Sequence, residues 1–414
     1  MSTETITISK LGAQGYGVAQ GPQGPVYVPY ALPGETVAIA RNGSQGTLMS
    51  LATPSADRIE PLCRHFNPDR DACGGCSLQH LAEAPYQAFK RDLVVEALRA
   101  KGLTPPVAPL VGCGVGQRRR TVFSARQTEK GLLLGFNRAE TNHIVSIEEC
   151  PITSTEIMAH LASIRAVAAA LAGGAEVFRL AVTATISGLD LAADGVKTLS
   201  DRQRRNVVET VLGLKGIARV SANGEILVEP QKPLVDFGGV LVSPPPGAFM
   251  QATREAEDAM AALVVSHVGK AKRVADLFAG SGTFSLRLAR SCRVHAVEGE
   301  EKPLKALDQA ARKTQGLKPV TVEKRDLFRR PLTPQELKVF DAVVFDPPRA
   351  GAEAQVKELV RSGVKKIAAV SCNPLTLARD LRLLVDGGYT IRSVTPIDQF
   401  LWSPHVEAIA LLER

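Results

Sequence analysis

Residues 274–283 read VADLFAGSGT, a short apolar run that passes through Asp276 into a turn containing Gly280 and Gly282. This pattern is typical of the first strand-to-helix turn of an open α/β sheet, where ligands bind beyond the carboxyl ends of the strands. Glycines alone are a weak signal, because any tight turn between a strand and a helix can use them. The sequence around the turn therefore decides between a ligand site and a plain turn.

The chain beyond this turn alternates strand-like and helical stretches. The strand-like runs are Val274–Asp276, Val294–Val297, Val320–Glu323, Ala342–Phe345 and Ile367–Ser371. Strands that alternate with helices predict a doubly wound, mostly parallel sheet, which we assign to residues 254–414. The carboxyl ends of such strands are expected to meet along one edge of the sheet.

Carboxylates stand at four of these strand ends, at Asp276, Glu298, Asp326 and Asp346. Glu298 lies about 20 residues beyond the turn and is placed to accept hydrogen bonds from ribose hydroxyls, a spacing that also suits a nicotinamide dinucleotide. Asp326 can face an adenine amino group, and Asp346 is expected beside the methyl group of a donor. Four carboxylates favour the cationic sulfonium of S-adenosylmethionine over a pyrophosphate, which would require hydrogen-bond donors and positive charge.

Cys372, in Ser371-Cys372-Asn373-Pro374, follows the fifth strand and should open onto the same edge. An arbitrary free cysteine is more often a buried apolar residue. Beside a methyl donor, however, a thiolate can add to carbon 6 of a uracil and make carbon 5 nucleophilic. A base must then remove the proton from carbon 5, and we predict Glu407, which precedes the apolar run Ala408–Leu412, as that base.

The remaining chain predicts two further domains. Residues 5–50 alternate short β-prone runs with glycine-rich turns, which favours a small β-barrel within residues 1–55. Residues 56–253 are predicted to form an α+β domain, with a helix over 85–101 and strands near 178–185 and 217–228. Asn223-Gly224 interrupts the last of these runs and favours a tight hairpin turn. The third domain is residues 254–414.

The bulk composition limits the classes of protein to which the chain can belong. With 414 residues, 45% hydrophobic and 22% charged, it is predicted to be globular with several domains. It has no apolar signal region and no run long enough to span a membrane, so we expect a cytoplasmic protein. The net charge of +8 suits a polyanionic partner. Two short arginine runs, Arg118–Arg120 and Arg202–Arg205, are candidate phosphate contacts or plain solvated faces.

Four cysteines form a candidate cluster. Cys63, Cys73 and Cys76 follow one another with nine and two intervening residues, and Cys150 lies far downstream. Seven cysteines in a chain without an export signal argue against a disulfide framework. Three close thiolates and a remote one suit a structural zinc or an iron–sulfur cluster, and their spacing does not separate the two; unrelated thiols are the third possibility.

Taken together, these features resemble the bacterial RNA uracil-C5 methyltransferase family, especially the branch that modifies 23S ribosomal RNA. The motifs that carry the resemblance are Asp276–Thr283, Asp346-Pro347-Pro348-Arg349, Ser371-Cys372-Asn373-Pro374 and His405-Val406-Glu407. The resemblance implies a Rossmann-like class I S-adenosylmethionine-dependent methyltransferase domain. It also implies that an OB-like TRAM barrel, which binds RNA, and a central α+β domain precede that domain.

The resemblance also implies roles for individual residues. Cys372 is the expected nucleophile and Glu407 the expected base. The residues expected to line the methyl-donor site are Gln251, Phe278, Thr283, Glu298, Asp326 and Asp346. The expected ligands of a four-iron four-sulfur cluster, favoured over zinc, are Cys63, Cys73, Cys76 and Cys150.

The predicted function is therefore methylation of carbon 5 of a uridine in structured RNA, with 23S ribosomal RNA as the expected substrate. Transfer RNA is an alternative, because both branches share the catalytic motifs. An amine methyltransferase and a non-catalytic RNA-binding assembly protein are further alternatives. Phe249, Phe400 and Trp402 are candidates for stacking on a flipped base. We expect no membrane partner, and the sequence points to no obligate protein partner.

Overall fold

The computed structural model describes residues 2–21, 24–68 and 72–414. Three regions follow one another along the chain, and each has its own sheet of six or seven strands. Within the described residues no helix has the length and apolar character needed to cross a membrane.

The first region is a six-stranded sheet with strand order β1-β5-β6-β4-β3-β2. Its strands are β1 (Ser2–Thr7), β2 (Lys10–Leu11), β3 (Gly17–Gly21), β4 (Gly24–Val28), β5 (Thr36–Asn42) and β6 (Gln45–Thr53). Alternating apolar residues of β4 and β5 point inward to a small core of their own that includes Val26, Val28, Val37 and Ile39. The β-prone runs noted in the sequence fall largely in β1, β4 and β5, whereas β6 had no sequence signal that we used.

Helix α1 (Glu83–Arg99) follows, two residues ahead of its predicted position. It ends before Gly102, whose φ of +66° lies in the left-handed region that favours glycine. Val94, Ala97 and Leu98 of this helix are buried in the same core as the C-terminal sheet. The chain then runs along that sheet, because Val107 forms a bridge with Val394 near the C-terminus. Helix α1 is thus packed against the C-terminal region, although the sequence placed it in the central domain.

The central region is a seven-stranded sheet with helices beside it. Its elements are β7 (Arg120–Thr128), β8 (Gly131–Asn137), β9 (Ile144–Ser146), α2 (Thr155–Ala159), α3 (Leu161–Leu171), β10 (Phe178–Thr185), β11 (Gly188–Asp194), α4 (Asp201–Leu212), β12 (Ile217–Ala222) and β13 (Glu225–Val228). The strand predicted at 178–185 is confirmed, and the run 217–228 is a hairpin that turns at Asn223-Gly224 as predicted. A short hairpin of β14 (Val235–Asp236) and β15 (Leu241–Val242) leads to the last region.

The last region carries the sheet that the opening motif predicts. Its elements are α5 (Arg254–Val268), β16 (Arg273–Leu277), α6 (Ser285–Leu288), β17 (Arg293–Glu298), α7 (Glu301–Lys313), β18 (Val320–Lys324), α8 (Pro334–Leu337), β19 (Ala342–Phe345), α9 (Glu353–Val360), β20 (Lys366–Ser371), α10 (Pro374–Asp386), β21 (Thr390–Ile397) and β22 (Glu407–Glu413). All five predicted strands and the last apolar strand are confirmed.

The strand order of this sheet is β18-β17-β16-β19-β20-β22-β21. Its first five strands are parallel, and β22 is inserted antiparallel between β20 and β21. Because β22 runs the opposite way, its first residue lies at the edge where the parallel strands end. Residues that follow β16, β17, β19 and β20 therefore share one rim with Glu407.

Candidate active site

The turn after β16 is sharply bent. Phe278, Gly280 and Gly282 have φ values of +60°, +54° and +102°. A side chain at Gly282 would place its Cβ 2.9 Å from Leu307, so both the conformation and the space require glycine there. Phe278 adopts the left-handed conformation without being glycine, a form of strain that concentrates at functional sites.

Asp276 lies beneath this turn rather than on the rim. Its side chain is buried, and Oδ2 accepts a 2.6 Å hydrogen bond from the Ser285 hydroxyl at the start of α6. Burial, reinforced by the nearby charge of Asp346, raises the pKa of Asp276 to about 7. The sequence interpretation of four carboxylates around one cation is therefore wrong for Asp276, which secures the turn from inside.

Glu298 and Asp326 do lie on the rim. Glu298, at the end of β17, accepts hydrogen bonds from the backbone N–H groups of Gly280 and Glu300 at 2.9 and 2.8 Å, and so ties the first turn to the second. Asp326 is exposed, and its Oδ1 accepts from the backbone N–H of Phe328 at 3.0 Å. Each carboxylate retains lone pairs for a ligand.

An aromatic pair lies next to these carboxylates. The rings of Phe278 and Phe328 have centroids 5.4 Å apart, and Phe328 is 48% exposed. A half-exposed phenyl ring beside a polar rim can stack on a planar base. Phe328 was missed in the sequence, although its position two residues after Asp326 placed it at a predicted strand end.

Cys372 follows β20 at the start of α10. Asn373 caps this helix by accepting from the backbone N–H of Leu375 at 3.1 Å, and its amide donates to the carbonyl of Arg349 at 3.1 Å. The cysteine turn is therefore tied to the Asp346–Arg349 loop. Burial, together with the charges of Glu407 and Asp346, raises the pKa of the Cys372 thiol to about 11, while the nearby Arg349 guanidinium lowers it.

Glu407 is buried at the start of β22, with 2% of its surface exposed. Its Oε2 accepts a 2.7 Å hydrogen bond from Gln399, while its Oε1 has no partner among the described residues. Burial, reinforced by the charge of Asp346, raises the pKa of Glu407 to about 8. A carboxyl group whose pKa lies near neutrality is suited to exchanging protons during a reaction.

Two amide side chains connect the carboxylates. Gln251 donates to Asp346 at 3.0 Å, and Gln399 donates both to Gln251 and to Glu407 at 2.7 Å. Burial raises the pKa of Asp346 to about 7, and the Gln251 hydrogen bond opposes that rise. Gln251 was predicted from the sequence, whereas Gln399 was not. Its only sequence signal was a polar pair, Asp398-Gln399, in the short connection between the last two strands.

A buried ion pair holds the connection that leads to Glu407. The ammonium of Lys90, on α1, lies 2.9 Å from Asp398 Oδ1 and also donates to the carbonyls of Phe400 and His405. The Tyr86 hydroxyl donates to Asp398 Oδ2 at 2.5 Å. Both Lys90 and Asp398 have fully buried side chains. We call this group the Lys90–Asp398 clasp.

The four predicted cluster cysteines line one cavity of about 300 Å³. Burial raises the pKa values of Cys73 and Cys76 to about 11 and about 12, and the neighbouring Cys63 and Cys150 contribute to that rise. Among the described residues, no three His, Cys, Asp or Glu side chains are grouped so that they could hold a metal ion. The four thiols line the same cavity, although no three of them form a ready-made metal site among the described residues.

The first arginine run is not a free phosphate-binding surface. Arg119 forms a 2.5 Å ion pair with the buried Glu257 and donates to the carbonyl of Gln251. Burial lowers the pKa values of its neighbours Arg118 and Arg120. In the second run, on α4, Arg204 pairs with Glu225 at the surface.

The three candidate stacking aromatics differ in environment. Phe249 is 74% exposed and is free to meet a base. Phe400 packs edge-on against His405, with ring centroids 6.0 Å apart. Trp402 has a φ of +56° and belongs to a small apolar cluster with Tyr86. Only Phe249 of the three presents most of its surface to solvent.

The parallel sheet, its bent first turn and its acidic rim define a class I S-adenosylmethionine-dependent methyltransferase fold. The fold is similar over 99% of both chains, with a TM-score of 0.76, to a crystal structure of Pyrococcus abyssi tRNA (uracil-54, C5)-methyltransferase in complex with S-adenosyl-L-homocysteine. That protein is 24% identical, so it supports the fold alone. Residues 243–414 match the family model described as tRNA (Uracil-5-)-methyltransferase.

Two relatives cover the whole chain. The Hahella chejuensis 23S rRNA (uracil(1939)-C(5))-methyltransferase RlmD is 32% identical over 99% of this chain and 97% of its own length. An Agrobacterium fabrum protein named only as an uncharacterized RNA methyltransferase is 67% identical over 100% of both chains. The chain belongs to the RNA uracil-C5 methyltransferase family, whose reaction is the S-adenosylmethionine-dependent methylation of carbon 5 of a uridine in RNA. Family membership favours this reaction over amine transfer and over a non-catalytic role.

Proposed function

We propose that the enzyme methylates a uridine of 23S ribosomal RNA through a covalent adduct, with Cys372 as the nucleophile and Glu407 as the base. The observation that supports the chemistry is the proximity of these groups: hydrogen bonds through Gln251 and Gln399 join Asp346 to Glu407, and the charges of both carboxyl groups raise the pKa of the Cys372 thiol. The substrate is proposed from the Hahella relative, which matches this chain along nearly its full length.

The first half of the reaction joins the enzyme to the base. The Cys372 thiol first gives its proton to solvent water. The thiolate sulfur then forms a bond to carbon 6, and the C5=C6 electron pair becomes available at carbon 5. Carbon 5 then attacks the methyl group of the donor, forming a C–CH3 bond as the donor's sulfur–methyl bond breaks. Arg349 and the positive sulfonium both favour the thiolate, which the unliganded pocket disfavours.

The second half releases the product. The Glu407 carboxylate takes the proton from carbon 5, and the electrons of that C–H bond restore the C5=C6 double bond. The bond between carbon 6 and sulfur breaks, and Cys372 leaves as a thiolate. Oε1 of Glu407 is the oxygen available for this transfer, because Oε2 already accepts from Gln399.

We propose that Gln251, Phe278, Thr283, Glu298, Asp326 and Asp346 line the methyl-donor site. Glu298 is held by two backbone N–H groups and offers its remaining lone pairs to the ribose hydroxyls. Asp326 can accept from the adenine amino group, and Phe278 and Phe328 supply a face on which adenine can stack. Asp346, on the pocket side, lies where the sulfonium charge is expected.

Labelling tests the substrate. The anaerobically purified protein is incubated with labelled S-adenosylmethionine and total RNA that lacks 5-methyluridine, and the RNA is then separated by size and its labelled nucleoside identified. We expect 5-methyluridine in 23S RNA. Label in transfer RNA would keep the chemistry and replace the substrate, whereas no label in either RNA would contradict the proposal.

Adduct trapping tests the two residue roles. Glu407→Gln should form a methylated covalent complex with RNA that accumulates, because the proton on carbon 5 is no longer removed. Cys372→Ser should form no covalent complex. Cys292→Ser is the matched control, since Cys292 is buried away from the rim and its hydrogen bond to the Leu288 carbonyl can be kept by a hydroxyl. A Cys372→Ser variant with intact turnover would contradict the nucleophile assignment.

We propose that Cys63, Cys73, Cys76 and Cys150 hold a four-iron four-sulfur cluster. Four thiols around a cavity of about 300 Å³ fit a group larger than a single ion, and thiolates are the usual ligands of such clusters. When bound, the cluster would join the loop 63–76 to Cys150 and so stabilise the fold, and we assign it no step in methyl transfer. Residues 69–71 of this loop lie outside the described part of the chain.

Metal and sulfide analysis tests the cluster. Anaerobically purified protein should contain about four irons and four acid-labile sulfides per chain and absorb visible light, as expected for this cluster type. Cys150→Ser should lose both, whereas Cys113→Ser, outside the cluster cavity, should retain them. One zinc per chain without sulfide would replace the cluster by a structural zinc site.

We also propose that residues 1–55 form a TRAM-like RNA-binding domain, residues 56–253 a central domain that holds the cluster and contacts RNA, and residues 254–414 the methyltransferase domain. The six-stranded sheet of β1–β6 with its own small core supports the first of these boundaries. The packing of α1 against the C-terminal sheet means that the second and third domains share a core.

A further inference from the structure

Gln399 connects two residues of the candidate active site, Gln251 and Glu407, although no sequence motif pointed to it. Its side chain is 1% exposed and makes three hydrogen bonds. Oε1 accepts from the backbone N–H of Ala252 at 2.6 Å, and Nε2 donates to Gln251 Oε1 and to Glu407 Oε2, both at 2.7 Å. The donor and both acceptors therefore hold the amide on two sides.

These contacts fix the orientation of the amide. A backbone N–H can only donate, so the carbonyl oxygen of Gln399 must face Ala252. Its NH2 group must then face Gln251 and Glu407, and both of its hydrogens are used. Gln399 therefore acts on Glu407 only as a donor and cannot accept a proton from it.

This hydrogen bond makes the two carboxyl oxygens of Glu407 different. Oε2 is held by Gln399, whereas Oε1 has no hydrogen-bond partner among the described residues. A proton on Oε2 would compete with the Gln399 hydrogen bond, so Oε1 is the oxygen that gains and loses it. The other titratable groups that interact electrostatically with this carboxyl group are Asp346 and the Cys372 thiol.

We propose that Gln399 is a positioning residue that holds Glu407 Oε2, leaves Oε1 as the oxygen that takes the proton from carbon 5, and links this base to Asp346 through Gln251. The inference rests on the proposed role of Glu407 as the base. It adds a residue outside the four motifs that carry the family resemblance, and it assigns the proton transfer to one oxygen of the Glu407 carboxylate.

The test is Gln399→Met, which keeps length and approximate volume but removes both donors. We expect the covalent RNA adduct to form at nearly the wild-type rate and to break down roughly tenfold more slowly or worse, measured in a single turnover with labelled methyl donor. Because the lost donor favoured the charged carboxylate, the pH midpoint of adduct breakdown should move upward. A purely structural role would lower both rates together without moving that midpoint.

Gln355→Met is the matched control. Gln355 is also 1% exposed and bonds the backbone N–H and carbonyl of Leu332, away from the rim. It should leave the ratio of adduct formation to breakdown unchanged. If Gln399→Met folds poorly because the Ala252 N–H loses its acceptor, Gln399→Glu keeps that acceptor and replaces the amide donor by a second carboxyl group, whose charge also raises the pKa of Glu407. It should slow adduct breakdown as well.

The outcomes separate the two proposals. If Glu407→Gln traps the adduct but both Gln399 variants release it as fast as the wild type, Gln399 has no positioning role. If Glu407→Gln itself fails to trap the adduct, the assignment of the base is wrong and the Gln399 proposal is overturned with it. Trapping by Glu407→Gln, with slowed release and a raised pH midpoint in the Gln399 variants, is the expected result.

Discussion

Two buried carboxyl groups stand at the two ends of one connection, Asp398 after β21 and Glu407 at the start of β22. Asp398 has an ammonium at 2.9 Å and a phenol hydroxyl at 2.5 Å, from Lys90 and Tyr86. Glu407 receives a single amide at 2.7 Å and faces a second carboxyl group, Asp346. The same chemical group thus holds a loop at Asp398 and, in the proposed mechanism, moves a proton at Glu407.

The two carboxyl groups differ in how far their partners offset the free-energy cost of burying a charge. Taking a carboxylate out of water costs several kcal/mol unless a cation and hydrogen bonds offset that cost. Asp398 has both, and the clasp anchors the carbonyls of Phe400 and His405 on either side of its loop. Among the described residues, Glu407 has neither a cation nor a full set of donors, and burial raises its pKa to about 8. Charge pairing stabilises the ionised form of Asp398, and its absence leaves Glu407 with the raised pKa that suits the proposed base.

The largest expected effect comes from removing the cation of the clasp. Lys90→Met would leave Asp398 buried without its partner and two carbonyls without a donor. Breaking a buried pair on one side typically costs about 3–5 kcal/mol, so we expect a loss of that size in the free energy of unfolding. Urea denaturation at neutral pH measures it.

The control for this loss is Lys357→Met, which removes an exposed ion pair to Glu353 and should leave the unfolding midpoint unchanged. Adding Asp398→Asn to Lys90→Met should restore part of the stability, because the unpaired charge is then gone. A Lys90→Met variant as stable as the wild type would mean that the clasp does not hold the loop, and the comparison with Glu407 would lose its basis.

The second prediction concerns pH. Because the pKa of Glu407 is about 8 in the folded protein, above its value of 4.5 in the unfolded chain, the folded state binds the proton more tightly. Its contribution to stability is complete below pH 4.5 and is lost as pH rises towards 8. Relative to Glu407→Gln, which cannot ionise, the wild type should lose up to about 1.4 kcal/mol per pH unit in this window.

Unfolding of both proteins at several pH values between 4 and 9 measures this difference. The ligand-free enzyme should be used, since a cationic methyl donor would favour the ionised carboxyl group. A constant difference between the two proteins would show that Glu407 ionises normally, and the contrast with Asp398 would then disappear.

The C-terminal sheet could be predicted from the sequence because its information is local. Runs such as Ala342–Phe345 are apolar, have strand length and end in turn or polar residues, and the structure starts and ends that strand at the same positions. The Asn223-Gly224 turn could also be predicted, since a tight hairpin needs residues that tolerate a left-handed backbone conformation. Cys372 and Glu407 could be proposed as site residues because each lies at one end of a strand that the sequence predicts.

The partners of these residues could not be predicted in the same way. Lys90 and Asp398 are 308 positions apart, and nothing near Lys90 shows that a helical lysine turns inward. Gln399 and Gln251 are separated by 148 positions, and their pairing depends on how two connections pack. The run Arg118–Arg120 appeared to be a phosphate surface because its internal acceptors, including Glu257, are remote in sequence. Side-chain networks over such separations depend on how the whole chain folds, so they are seen only in the three-dimensional structure.

The smallest expected effect involves Arg349, a cation that acts on the thiol of the proposed nucleophile, Cys372. Arg349 lowers the pKa of Cys372, and its guanidinium lies 2.8 Å from His405 Nδ1. Arg349→Met should raise the thiol pKa further and slow adduct formation about tenfold at neutral pH, with recovery as pH rises. Stability should change little, because Arg349 is exposed.

The pH dependence of Cys372 alkylation measures this effect directly, with Arg361→Met, an exposed arginine at the end of α9, as the control. If Arg349→Met left the alkylation midpoint unchanged, the thiolate would depend on the methyl donor alone. The expected outcome is an upward shift of the alkylation midpoint without loss of stability. The buried cation, Lys90, would then stabilise the loop, whereas the exposed cation, Arg349, would affect only how readily the Cys372 sulfur reacts.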